Sequence, residues 1–318
     1  MERRDFLRRA AWTTAGAALA PGVLGQIGQI VGVASAGTVP PAGFGICAQA
    51  YAGKSREQLV QYLEGLSGRT FTTVHNRMGW PVSLVNKYSR WIVSTGHTPI
   101  LTWQTHSSSI NVRWASVAAG DHDDRIRTEA AEVAALDRDV YFCFHHEPEN
   151  DQTLGTAEDW RRAYDRVYEL FNQEGATRVR HVACLMASTF KGLNGGEGAW
   201  LPPRYDVLGV DGYNRNTGGK WRPFSDIFRP AYDRAISVGK PMYVIEHGCV
   251  EGAPGAKAAW FAEAGATIAG WPTLLGVSYN HEGGTQGNDV GRNYRVDTSA
   301  SSVSGFRAMG LQGRFAPA

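Results

Sequence analysis

Cysteine is scarce, with four in 318 residues, and no two are spaced as CxxC, which excludes a zinc ribbon or a thioredoxin-type redox pair. Charge imbalance is missing as well. Setting aside Arg3, Arg4, Arg8, Arg9, Glu2 and Asp5 leaves 28 basic and 28 acidic residues, so nucleic acid or an anionic membrane surface is not expected as the main partner. No GxGxxG follows the first β-rich run, which removes the main sign of a dinucleotide fold. No GxSxG occurs, and "HEPEN" lacks the second histidine of HExxH, so the usual signatures of serine and zinc hydrolases are absent. The apolar stretch near the N-terminus is interrupted by Gly16, Pro21, Gly22, Gly25, Gln26 and Gln29 and is too broken for a membrane anchor.

That N-terminal stretch has another reading. "RRDFLR" (residues 3–8) pairs two arginines with Phe-Leu and a further base; an Ala/Gly-rich apolar segment follows, and Ala34-Ser35-Ala36 offers a small-residue cleavage triplet. The pattern resembles a twin-arginine export signal over residues 1–36. The expectation is a secreted or periplasmic protein, its mature chain starting near Gly37, with no membrane contact after signal removal. An exported chain permits disulfides. Cys47, Cys143 and Cys184 nevertheless lie inside apolar runs and Cys249 follows another, so all four are expected to pack as small buried hydrophobes.

What is present is alternation. Eight β-rich runs occur, at 43–50, 70–78, 98–105, 139–147, 179–187, 205–214, 241–248 and 274–283. Between most of them lie helical patterns such as "SREQLVQYLEGLSG" and "TAEDWRRAYDRVYELFNQEG", several opening on Ser or Thr with an acid three residues on and closing on Gly. Two segments fit less well: the Gly-rich stretch after Ala187, with no clear helix before Tyr205, and the divided region from Asn111 to Leu136. Eight strands alternating with helices over residues 37–318 predict a single-domain α/β protein, a (β/α)₈ TIM barrel, rather than an open doubly wound sheet.

In such a barrel, function sits at the C-terminal ends of the strands, and polar residues gather there in this chain. Strand two ends in "HNRMGW", three in "TWQTHS", four in "HHEPEN", six in "DGYN", seven in "IEHG" and eight in "YNHEG". Glu147 and Glu246 stand out, each after an apolar or aromatic approach. Strands four and seven face one another across the mouth of an eight-stranded barrel, so these carboxyls are placed to flank one glycosidic bond, roughly 5 Å apart for a double displacement. One would be kept protonated as acid while the other, ionised, attacks. The competing structural role for either acid is an ion pair with a barrel arginine such as Arg77. Glu149 shares strand parity with Glu147 and is its rival for the acid role. A metal set from His145, His146 and Glu147, or from His122 with Asp121, Asp123 and Asp124, is a weaker reading, since "GDHDDR" reads as a solvated acidic loop. Neither metal nor cofactor is expected.

The His-Glu pair His146-Glu147 after strand four, a Glu near the end of strand seven, "DVLGVDGYN" ahead of "GKPMYVIEHG", and the final "NYRVDTSASSVSGFRAM" together resemble glycoside hydrolase family 26, the β-mannanase family, over most of residues 43–310. The resemblance implies a retaining β-glycosidase with Glu147 as acid/base and Glu246 as nucleophile, acting on a polysaccharide or oligosaccharide, β-mannan first and β-glucan, β-xylan or a cell-wall glycan next. A barrel that only binds glycans would need neither acid. His146 would bind the sugar or the neighbourhood of the nucleophile, Tyr213 would orient Glu246, and Asn214, Trp103, Arg77 and His281 complete the substrate-binding set, with Trp80 a second aromatic platform. This sequence departs from the family at Pro148-Glu149-Asn150 and at "SYNHEGG", where His281 and Glu282 stand in place of an expected tryptophan.

Overall fold

The computed structural model describes residues 39–49, 53–283 and 292–315. The twin-arginine segment and its cleavage triplet lie outside the described residues. Eight parallel strands close on themselves in chain order: β1 (Gly43–Ala48), β2 (Thr73–Gly79), β3 (Thr98–Gln104), β4 (Val140–Phe144), β5 (Val179–Met186), β6 (Val207–Asn214), β7 (Met242–Cys249) and β8 (Leu274–His281). Each falls within or beside one of the eight runs read from sequence, and the fold is a (β/α)₈ barrel. The closing seam is a six-residue register from Gly43↔Gly276 to Ala48↔His281.

Side-chain alternation along the strands sorts the apolar residues into two layers. Ile100, Cys143, Val182, Cys184, Val207, Tyr243 and Ile245 fill the barrel interior, where Thr73 Oγ1 and Tyr243 Oη are hydrogen-bonded at 2.7 Å. Gly276 is needed here, because a Cβ at that position would stand 2.8 Å from the Tyr243 ring. The second layer lies between barrel and helices. In α5 (Ala157–Gln173) the stripe Trp160, Ala163, Tyr164, Val167, Leu170 and Phe171 is buried; each large side chain in such a stripe stabilises by ~1.5–3 kcal/mol.

Caps set the helix starts. Ser55 forms a capping box with Gln58 at α1 (Arg56–Ser67), and Thr156 forms one with Asp159 at α5. Asn86 caps α2 (Lys87–Ser94). Divided Asn111–Leu136 becomes two helices, α3 (Trp114–Ala119) and α4 (Asp123–Ala134). The "GDHDDR" loop expectation is therefore corrected: Asp123 and Asp124 occupy the first turn of α4, where negative charge suits the helix dipole. After Ala187 come short 3₁₀ turns and the four-residue α6 (Glu197–Trp200). Further on, α7 (Phe224–Ser237) has no side-chain cap of its own, and Glu263 from α8 (Ala256–Ala269) accepts from the amides of Phe224 and Ser225. A last helix, α9 (Ala300–Gly310), packs on α8 and α1. All four cysteines are free and buried.

Candidate active site

Two strands deliver polar residues to the barrel mouth by plain alternation. In β2, His75 and Arg77 follow Thr73 inward, while Asn76 points out to Arg56 and Ser89. In β6, Asp211 and Tyr213 point in, and Gly212 between them lies under α7, where a Cβ would come 2.6 Å from Ile227.

Two other strands break alternation. On β4, Tyr141 and Cys143 face the interior, so an extended chain would send His145 inward next. Instead His145 has φ +49° and its ring turns out against Trp114 of α3, bonded to Thr105 and Asp151. His146 takes the inward place, and Glu147 follows with φ +52°. Such left-handed residues cost ~1–3 kcal/mol each unless glycine. For this reason β4 ends at Phe144 rather than at Glu147, although the amides of His145 and Glu147 still reach Trp103 O and Cys184 O at 3.0 Å. On β7, the pairing with β6 jumps from Val210↔Val244 to Asp211↔Glu246, leaving Ile245 as an extra residue. This bulge lets Glu246 face inward directly after Ile245. It sends His247 outward, where the ring stacks beside Trp260 and Nδ1 meets Ser278 O at 2.9 Å.

Glu147 and Glu246 both line a pocket of about 200 Å³, together with Arg77, His146, Tyr213, Arg215, Asn280, Glu282, Arg292 and Tyr294. Their surroundings differ in sign. Burial alone would raise the Glu246 carboxyl, but Arg77 Nη1 at 3.4 Å, His146, His75 Nδ1 at 3.4 Å and the hydroxyl of Tyr213, which donates to Oε2, bring it down to about 2. Glu147 is pushed up to about 8 by burial and by the negative charge of Asp211, with Glu246 and Glu149 adding to it and His146 opposing. Asn150 donates to Glu147 Oε2 at 3.0 Å, leaving Oε1 to carry a proton. His146 donates from Nδ1 to Asp211 at 2.9 Å. Although its burial favours the neutral ring, that bond and the charges of Glu246, Asp211 and Glu147 hold it protonated, up to about 10. The pocket thus holds a neutral carboxyl, able to donate, and an ionised one, able to attack.

Other expected positions fall elsewhere. Trp103 and Trp80 are buried and stacked on each other, centroids 4.1 Å apart, with Trp103 Nε1 donating to Trp80 O; neither is open to a sugar. Asn214 is buried, its Oδ1 accepting from the amides of Asn216 and Arg222, so it pins the β6–α7 loop. His281 is buried, and its Nδ1 accepts from the Val296 amide at 3.1 Å. Glu149 is turned away: Oε1 accepts from the Met186 amide at 2.6 Å and Thr189 Oγ1 at 2.7 Å, which ties the β4 end to the loop after β5. Reading the strands missed Asp211, His75 and Asn280 as site residues. Asp211 and His75 were visible in principle, since each lies two residues before Tyr213 or Arg77 and so shares its face. Asn280, which donates to Tyr213 Oη at 3.1 Å, gave no comparable sign.

His145 and His146 point to opposite sides, toward Asp151 and Asp211. His122 bonds Ser116, and Asp123 is held by Arg166. Among the described residues, His106, His145 and Asp151 come within ligand distance of one another. There the Thr105 amide donates to His145 Nδ1, which puts the proton of the neutral ring on Nε2, the atom that would have to ligate. The other two sets each include a buried thiol, Cys47 or Cys184, whose ionisation burial opposes.

No family model matches the chain. Endoglucanase H of Acetivibrio thermocellus is 23% identical over 268 residues, 79% of this chain, and the match spans 29% of that relative's length. Among solved structures, GH26C from a Muricauda species superposes with a TM-score of 0.59 at 13% identity, covering 88% of this chain and 87% of the other. A β-mannanase from a symbiotic protist of the termite Reticulitermes speratus, complexed with gluco-manno-oligosaccharide, gives 0.58 at 13% identity, with 87% and 88% covered. The catalytic domain of a Bacillus sp. JAMB-750 endo-β-1,4-mannanase gives 0.58 at 13%, with 87% of each chain covered. At these identities the likeness establishes a shared barrel fold.

Proposed function

We propose that this protein is a retaining glycoside hydrolase of β-linked glycans, exported by the twin-arginine route. The observation that carries the reading is that two carboxyls line one pocket at a barrel mouth in unlike surroundings, Glu246 against Arg77, His75 and Tyr213 and Glu147 held by Asn150. In the first step Glu147 gives its proton to the leaving glycosidic oxygen while a Glu246 oxygen bonds to the anomeric carbon and the C–O bond breaks. In the second, ionised Glu147 takes a proton from water, whose oxygen attacks the anomeric carbon and releases Glu246. Tyr213 and Arg77 keep Glu246 ionised and aimed. Protonated His146, held by Asp211, faces both acids and balances the charge as it moves between them.

A β-1,4-mannan backbone is the first substrate to test, since several structural neighbours are mannanases, and β-glucan is the second, after the endoglucanase relative. The test is the anomeric configuration of the first product, followed by proton NMR on β-manno- and β-gluco-oligosaccharides. Initial release of the β-anomer supports double displacement. Initial release of the α-anomer, or unchanged turnover in Glu246→Gln, would overturn it.

A further inference from the structure

A second cavity, of about 240 Å³, adjoins the carboxylate pocket and shares Tyr213 and Arg215 with it. Its lining is cationic: Lys191, Arg215, Lys220 and Arg222 face one acid, Asp211, which is buried and already bonded to His146. Some surface arginines elsewhere pair with carboxylates, Arg204 with Asp165 and Glu169, Arg178 with Asp139, and Arg229 with Asp233. These four cations form no such pair among the described residues. Lys191 donates to the backbone oxygen of Asp226 at 2.6 Å, and Arg215 Nε to Tyr294 Oη at 3.1 Å. Crowding of like charge shows at Lys191, whose ammonium is pulled below its ordinary range by burial and then by Arg222.

Aromatic platforms, the usual means of gripping neutral sugars, are sparse. Among the described residues that line the two cavities, the tyrosines and tryptophans are Tyr213 and Tyr294, while Trp80 and Trp103 are sealed in the core. Uncompensated cations around a cleft instead favour an anion. Guanidinium groups match planar carboxylates in particular, because two parallel N–H donors meet two oxygens.

We propose that this cavity is a subsite for a uronate residue, so that the glycan cut between Glu147 and Glu246 is a β-linked chain carrying carboxylates. The proposal rests on the glycosidase reading. The probes are a β-1,4-linked mannuronate hexamer, the neutral mannose hexamer and a sulfated mannose hexamer, titrated calorimetrically into Glu246→Gln protein to prevent cleavage. Mannuronate is expected to bind at least ~10-fold tighter than mannose at low salt, with the advantage shrinking as salt is added.

Adding Lys220→Gln and Arg222→Gln should erase the preference. The fold is expected to survive, since Arg222 serves the structure through its backbone, its amide bonding Asn214 and its carbonyl Trp260; Lys220→Gln alone is the fallback, with a partial loss. Equal affinity for the two hexamers, or a preference that outlasts both substitutions, would overturn the subsite. Sulfated hexamer binding as tightly as mannuronate would overturn its assignment to carboxylate. Turnover of wild-type protein separates the two readings. Retaining cleavage of neutral mannan without uronate preference removes the subsite alone, and uronate binding without cleavage of any β-glycan removes the glycosidase.

Discussion

Strands β2 and β6 place their site residues by simple alternation, whereas β4 and β7 reach theirs only by breaking it. His75 and Arg77 sit two apart on the regular β2–β3 ladder, and Asp211 and Tyr213 sit two apart on β6, where the extra residue at the register shift belongs to β7. Glu147 arrives after a left-handed His145, and Glu246 follows a bulged Ile245. The regular strands therefore supply the groups that set charge, and the irregular ones supply the groups that would react. Backbone irregularity of this kind has a standing cost, and its coincidence with the two acids is the reason to look for chemistry there.

The sharpest way to break this contrast is at the irregular ends. Glu147→Gln and Glu246→Gln should each lower kcat by at least ~10³-fold with an unchanged circular dichroism spectrum, because in the proposed mechanism each removes a group acting mainly in the transition state. Wild-type rates in either variant would make the irregularities merely architectural. On the regular strands effects should be graded. Tyr213→Phe removes one hydrogen bond to an ionised carboxylate and should lower kcat by ~10–100-fold, measured by reducing-sugar release.

Arg77→Met should act on the pH profile first. In the proposed mechanism Glu246 must be ionised to attack, so activity should fall as pH drops through its value near 2, and Glu147 must be protonated to donate, so activity should fall as pH rises through about 8. Removing Arg77 raises Glu246 and should move the acid limb upward by ~1–3 pH units, leaving the alkaline limb in place. A shift of both limbs would mean that Arg77 governs the whole pocket. Smallest of all in its effect on catalysis, Trp103→Phe should leave KM at the wild-type value while lowering the thermal midpoint, since Trp103 belongs to the core. A raised KM would return it to the sugar site.

The same contrast explains what could be read from the sequence. The eight β-rich runs, and the polar residues crowding their ends, carry the barrel because period and punctuation are local properties. Glu147 and Glu246 were legible as types at strand ends. Their facing was not: alternation predicts that Glu147 and Glu149 share a face, yet the left-handed turn at 145–147 aims one at the pocket and ties the other to Met186 and Thr189. Trp103, Asn214 and His281 looked like sugar ligands because their residue types occur both in sugar sites and in packing. Their burial depends on partners far along the chain, such as Val296 for His281 and Arg222 for Asn214. Lys220 and Arg222 carried no signal of their own, since a cationic cavity exists only once the loops after β5 and β6 meet.

Cys47, Cys143, Cys184 and Cys249 are all shielded from solvent, and burial drives the thiols of Cys47, Cys184 and Cys249 away from the thiolate form, which is the reactive one. Alkylating reagents should thus modify the native chain only as fast as the cylinder opens. Four built-in reporters spread over β1, β4, β5 and β7 would then time how often, and at which staves, the closed wall comes apart.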